Sequence, residues 1–174
     1  MNNKSFIINY LILLAADILV LALCNLPQVF FITVLPVMVM CLPRSVNTPL
    51  GMAIAFATGF AADFLTTGAL GLSSAALVVV GLLRTPFLSL LFGDTLPLHR
   101  STVAFTSKGF AGAALFVLIP LAVFLAIYIT IDGAGMRSFW FNCLRFIISL
   151  AADSLLSFGA AVMLTSDKKG GQWN

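Results

Sequence analysis

The chain contains no glutamate, a single histidine and little charge of either sign. Charged residues make up 9% of its 174 positions, against roughly 25% in a soluble domain. So small a polar stock cannot cover a surface that faces water. A soluble enzyme, a nucleic-acid binder and a disordered chain are excluded on that ground. A metal centre needs several converging ligands. One histidine, His99, in the longest loop, and three scattered cysteines do not supply them. The serine of Gly71-Leu72-Ser73 has no histidine in any apolar run to serve as its base, so nucleophilic chemistry is not expected there. No glycine loop of the phosphate-cradling kind is present. No cofactor is expected.

What the chain does have is hydrocarbon. Apolar residues are 61% of it, and the mean hydropathy is +1.11. A helix needs about 20 apolar residues to cross a core ~30 Å thick. Six apolar runs approach that length, at 6–24, 26–42, 50–67, 70–92, 109–131 and 139–164. The expectation is one all-α integral membrane domain of six transmembrane helices. Leu21-Ala22-Leu23-Cys24 resembles a lipoprotein processing site. Leu23 is too large for the position before a processed cysteine, and Asp17 interrupts the apolar stretch, so the first run is expected to stay as a span. Pro36 lies near the middle of the second run and is expected to kink it. Thr67-Gly68-Ala69 allows only a tight turn, which makes runs three and four a helical hairpin.

Loop charge sets the orientation. With the N-terminus cytoplasmic and all six runs crossing, Lys4, Arg44, Arg100, Lys108, Lys168 and Lys169 fall on the cytoplasmic side and Arg137 alone on the outer side. Both termini are therefore expected in the cytoplasm. Tyr128 and Trp140 fall near outer ends, where interfacial aromatics belong. Cys24, Cys41 and Cys143 sit within or at the ends of runs and read as small hydrophobes.

Five charges fall inside the runs: Asp17, Asp63, Arg84, Arg145 and Asp153. Each costs about 2.5–3.5 kcal/mol at the centre of a span. They read either as a ligand or ion pocket, or as internal ion pairs that fix helix packing. Counting 1.5 Å per residue from the outer ends puts Asp17, Asp63 and Arg145 at about 6–10 Å, and Arg84 and Asp153 at about 20 Å. Arg145 is then expected to serve Asp17, Asp63 or both, and Arg84 to serve Asp153. Small residues recur at helical spacing. Ala53, Ala57 and Ala61 share one face of run three, with Ala55 and Gly59 beside them. Ser149, Asp153, Ser157 and Ala161 line one face of run six. Such faces let helices approach closely, within the chain or against a partner helix, including that of a second copy.

Gly59-Phe60-Ala61-Ala62-Asp63-Phe64, followed by Gly68, Gly71 and Leu72, resembles the corresponding stretch of the rod shape-determining MreD family. Leu83-Arg84-Thr85-Pro86-Phe87, Leu90-Leu91-Phe92-Gly93 and Leu144-Arg145-Phe146-Ile147-Ile148-Ser149 are similar to the Bacteroidetes-type members, in the same order. The resemblance covers nearly the whole chain in length and span order. It implies a non-catalytic inner-membrane component of the cell-elongation machinery. It implies binding to the scaffold protein MreC and, through it, association with the RodA-type glycosyltransferase, its penicillin-binding transpeptidase partner and the actin-like MreB. It also implies a fold similar to that of the substrate-binding subunits of energy-coupling-factor vitamin transporters. Such a subunit is the alternative reading. Those subunits carry an alanine-xxx-alanine face on span one, whereas Ala15, Ala16 and Ala22 form no such pair. The outer turns are also too short for a ligand loop.

The topology is testable in intact cells. A cysteine at Ser138 should react with an impermeant thiol reagent and one at Ser166 should not; labelling at Ser166 refutes two cytoplasmic termini.

Overall fold

The computed structural model describes residues 3–23, 32–43, 46–66, 70–92, 109–133 and 138–165. His99, Cys24 and the loop charges at Arg44, Arg100, Lys108, Arg137, Lys168 and Lys169 lie outside those residues. Six helices occur in chain order: α1 (Asn3–Leu23), α2 (Leu35–Met40), α3 (Thr48–Thr66), α4 (Leu72–Phe92), α5 (Gly109–Gly133) and α6 (Phe139–Thr165). No strand occurs among the described residues. Helices α3 to α6 are long and apolar enough to cross a membrane, and α1 carries a shorter apolar stretch, Phe6–Ala22. The chain is an all-α multi-pass membrane protein, with four helices of spanning length among the described residues.

The second apolar run departs from expectation. It is not a continuous helix over 26–42. Residues 32–34 are irregular, and the helix that follows has only six residues. At 1.5 Å per residue it is about 9 Å long, far short of a bilayer. Pro36 does not kink a long span but stands in the first turn, where a missing N–H breaks no helical bond.

The position of α2 explains why so short a helix is stable. Helix α1 packs on α3, α3 on α4, α4 on α5, α5 on α6, and α6 back on α1. These five helices form a closed ring. Helix α2 touches all five of them and sits inside it. Every side chain from Leu35 to Leu42 is buried. Non-helical backbone at membrane depth is tolerated where protein surrounds it, and the ring supplies that enclosure.

The radial distribution is inverted relative to a water-soluble protein. Asp17, Asp63, Arg84, Arg145 and Asp153 are all buried, whereas Leu90, Leu155 and Ile147 are 84%, 80% and 63% exposed. Hydrocarbon outside and polarity inside is the arrangement that lipid imposes. Trp140 lies on the exterior, whereas Tyr128, also expected at an interface, is buried against Phe124, with ring centroids 5.8 Å apart.

The α3–α4 hairpin is the tightest contact. A Cβ at Gly59 would stand 2.6 Å from Ser74 Cα, so only hydrogen fits between the two backbones. Gly81 faces Ala55 and the Met52 backbone at 3.3 Å. The packed stripe of α3 is therefore Gly51, Ala55, Gly59 and Ala62, all buried. The face carrying Ala53 and Ala57 points outward, with Ala61 half-buried at its edge, so these alanines do not pack within the chain as one reading allowed. Ser149, Asp153, Ser157 and Ala161 do face inward, and all are fully buried.

Gly59→Ala should separate α3 from α4 and lower stability by about 1–3 kcal/mol, because the obstruction is backbone that cannot rotate away. Gly159→Ala, with no atom within 4 Å of the added methyl, should be neutral or gain up to about 1 kcal/mol of helix propensity. Thermal unfolding of the two variants in one detergent checks the pair; equal midpoints would refute the close-approach argument.

Candidate functional site

A helix end leaves amides and carbonyls without intrahelical partners, and within a membrane no bulk water can serve them. At the N-terminal end of α2 two aspartates do so. Asp17, buried on α1, accepts from Val34 N at 3.0 Å through Oδ1 and from Thr33 Oγ1 at 3.1 Å through Oδ2. Asp153, buried on α6, accepts from Thr33 N at 3.0 Å through Oδ1. Thr33 Oγ1 in turn accepts from Leu35 N at 3.2 Å. Successive amides at 33, 34 and 35 thus all have acceptors. Thr33 is the joint: it holds one carboxylate through its backbone and the other through its hydroxyl. Asp153 Oδ2 is buried and has no hydrogen-bond partner among the described residues, and the same holds for Ser157 Oγ one turn further along α6.

The other end of α2 meets a cation. Arg84, buried on α4, donates through Nη2 to the carbonyls of Leu42 and, at 2.9 Å, Pro43, and through Nη1 to Val46 O at 3.4 Å. A guanidinium suits the site because its fixed fork reaches several carbonyls at once. It also faces the end of the helix whose partial charge is negative. Carboxylates at one end and a guanidinium at the other therefore match the dipole of the short helix. Beside Arg84 a recess of about 470 Å³ opens between the ends of α3 and α4, lined by Asn47, Thr48, Thr85 and Ser89 among others. Thr48 and Thr85 bond across it through their hydroxyls at 2.9 Å.

Asp63 closes the α3–α4 turn. Its carboxylate accepts from Gly71 N at 3.0 Å, from Ser73 N at 3.0 and 3.1 Å, and from Ser74 N and Oγ at 3.3 and 3.4 Å. These are the orphan amides that open α4. Gly71 adopts φ +101°, a left-handed conformation that glycine enters without steric cost. That twist turns its N–H back toward α3. Gly59 lies one turn before Asp63 on the same packed face, so close approach and capping are adjacent parts of one device.

Arg145, buried on α6, pairs with Asp132 at the end of α5. This corrects the expectation that it serves Asp17 or Asp63. The expected Arg84–Asp153 pair is corrected too: Asp153 bonds Thr33 N. Depth counting assumed upright helices of equal start and a helical second run. The irregular segment at 32–34 instead brings unpaired amides to the acids, and Asp17 and Asp153, assigned to separate layers, meet at Thr33. Two residues that complete these contacts were missed. Asp132 lay just beyond the run boundary, in what read as a turn. Thr33 was hidden in a segment taken for helix; its position near Pro36 was the available signal.

On the opposite side of α4, an apolar cleft of about 390 Å³ lies against α5 and is lined by Pro86 and Pro120, the prolines inside α4 and α5, with Phe87 and Val123. Among the described residues no group of three or more His, Cys, Asp or Glu side chains is placed to hold a metal ion. Comparison of the chain with protein-family models, with curated proteins and with solved structures finds no match.

Asp63→Ala should cost about 2 kcal/mol or more, since a charged cap with several donors exceeds the usual helix cap. Asp63→Asn, which keeps one acceptor oxygen, should lose less. Unfolding midpoints in detergent test the order; an Asp63→Ala variant as stable as the parent would refute the capping role.

Proposed function

We propose that this chain is a non-catalytic component of the bacterial cell-elongation complex, an inner-membrane protein of the MreD type that crosses the bilayer six times, the second time through the enclosed segment that contains α2, with both termini cytoplasmic. In this reading it binds MreC, and through MreC supports the RodA-type glycosyltransferase, its transpeptidase partner and MreB. The residues that carry the resemblance, Gly59, Asp63 and Gly71, are those that lock α3 to α4. The observation that carries the reading is the outer face of the locked helix. Ala53 and Ala57 form an exposed ridge beside Phe56, Phe60 and Phe64, whose rings stack in series with centroids 6.1 and 6.4 Å apart. A shallow alanine track beside an aromatic wall lets a second transmembrane helix approach closely. Because α3 cannot shift against α4, binding would not require the face to be ordered first, which keeps the entropic cost of association low.

Clean deletion should round the cells and remove MreC from the elongation complex. Ala57→Leu should fill the alanine track and reduce co-purified MreC about tenfold, which corresponds to about 1.4 kcal/mol. Leu155→Ala, on the outer face of α6, should leave co-purification unchanged. Normal cell shape after deletion, with a stoichiometric vitamin on the purified protein, would refute the proposal in favour of a transporter substrate-binding subunit.

A further inference from the structure

The buried charges do not balance locally. Arg84 is directed to the carbonyls after α2, and Arg145 to Asp132. Asp17 and Asp153 share Thr33, and among the described residues no basic side chain is hydrogen-bonded to either. When ionised, the two carboxylates carry a charge of −2. The amide end of a helix offsets about half a unit of that. More than one negative charge is left inside a closed ring of apolar helices.

The surplus is localised by the hydrogen bonding. Both oxygens of Asp17 and Oδ1 of Asp153 accept donors. Among the described residues Asp153 Oδ2 accepts none, although Asp153 is 0% exposed. Ser157 lies one turn along the same face of α6, is also 0% exposed, and its hydroxyl oxygen likewise lacks a partner. Two orphaned oxygens on one buried face, one of them anionic, next to a second carboxylate, are ligands of the hard-oxygen type. Oxygens from two carboxylates and one hydroxyl fall short of the 6–8 that Ca²⁺ takes and of the octahedral set that Mg²⁺ demands.

We propose that Asp153 Oδ2, Ser157 Oγ and the adjacent Asp17 carboxylate form a buried site for one small monovalent cation, with Na⁺ as its probe. A bound cation neutralises the surplus charge and ties α6 to α1 across the N-terminal end of α2. The site is independent of the partner face on α3, and its test does not depend on MreC.

The experiment is thermal unfolding of the purified full chain in detergent, in NaCl against choline chloride at equal ionic strength. The parent protein should gain about 3 °C or more for each tenfold rise in Na⁺ above the dissociation constant. Asp153→Asn, nearly the same shape without the charge, should lose the Na⁺ response. Ser157→Ala, which keeps the carboxylate pair, should weaken it and serves as the second variant if Asp153→Asn fails to fold. A parent protein with the same midpoint in both salts overturns the site. So does a Na⁺ response that survives unchanged in both variants. Stability that follows pH but not Na⁺ places a proton on Asp153 instead, and overturns the metal-cation assignment.

Discussion

A backbone amide without a partner in hydrocarbon costs several kcal/mol, and the interior of this protein is organised around avoiding that cost. A transmembrane helix normally satisfies its own backbone from end to end. Here one segment does not, because α2 has six residues and both its ends lie inside the protein. The buried charges on α1, α4 and α6 are arranged about those ends. Asp17 and Asp153 take the amides that precede it, and Arg84 takes the carbonyls that follow it. Without these three residues the enclosed segment would carry unsatisfied dipoles that no lipid or neighbouring apolar chain can meet.

The magnitudes show why Asp17 and Asp153 are not equivalent. Placing a carboxylate at mid-membrane costs about 2.5–3.5 kcal/mol, and a hydrogen bond to a charged group returns about 1.5–3 kcal/mol. Asp17, with two such bonds, is close to balanced. Asp153, with one, is left short. Asp63 lies at the favourable extreme, because the start of α4 supplies several donors to one carboxylate. Burial alone therefore does not distinguish a structural acid from one with residual binding capacity; the count of donors does.

Hydropathy made α1 and α3 to α6 legible in the sequence to within a few residues, because each is a long helix whose exterior must dissolve in lipid. The second run has the same composition but a different burial, and composition does not record whether an apolar stretch faces lipid or protein. Pro36 was visible; its meaning changed once the helix began beside it rather than around it. All five interior charges were identifiable from their cost, but not their partners. Charge pairing was inferred from depth along separate helices, whereas three of the acids bind backbone amides that no charge inventory contains. The alanine track had a similar ambiguity. On α3, positions 53 and 57 repeat at the same interval as positions 51, 55 and 59, and only the direction of the α4 contact decides which set is buried.

The Gly59–Asp63–Gly71 stretch shows how a short motif acquires its spacing from mechanics. Residues 59 and 63 lie four apart, hence on one face of α3, and both meet the first turn of α4. The glycine brings the backbones together, and the aspartate, one turn on, is then within reach of the amides at 71, 73 and 74. Moving the acid by one residue would rotate it about 100° around the helix and away from those amides. Filling the glycine would move the amides out of range. Gly71 completes the set, since its positive φ directs its own N–H at the carboxylate. Each residue is useful only at that interval, and their joint product is a hairpin with one face fully committed. The opposite face of α3, with its alanine track and stacked phenylalanines, is thereby held in a fixed geometry without contributing to the fold. A surface that is rigid, apolar and internally unused is what a neighbouring helix can select within the bilayer, where shape rather than hydrophobicity distinguishes a partner from lipid.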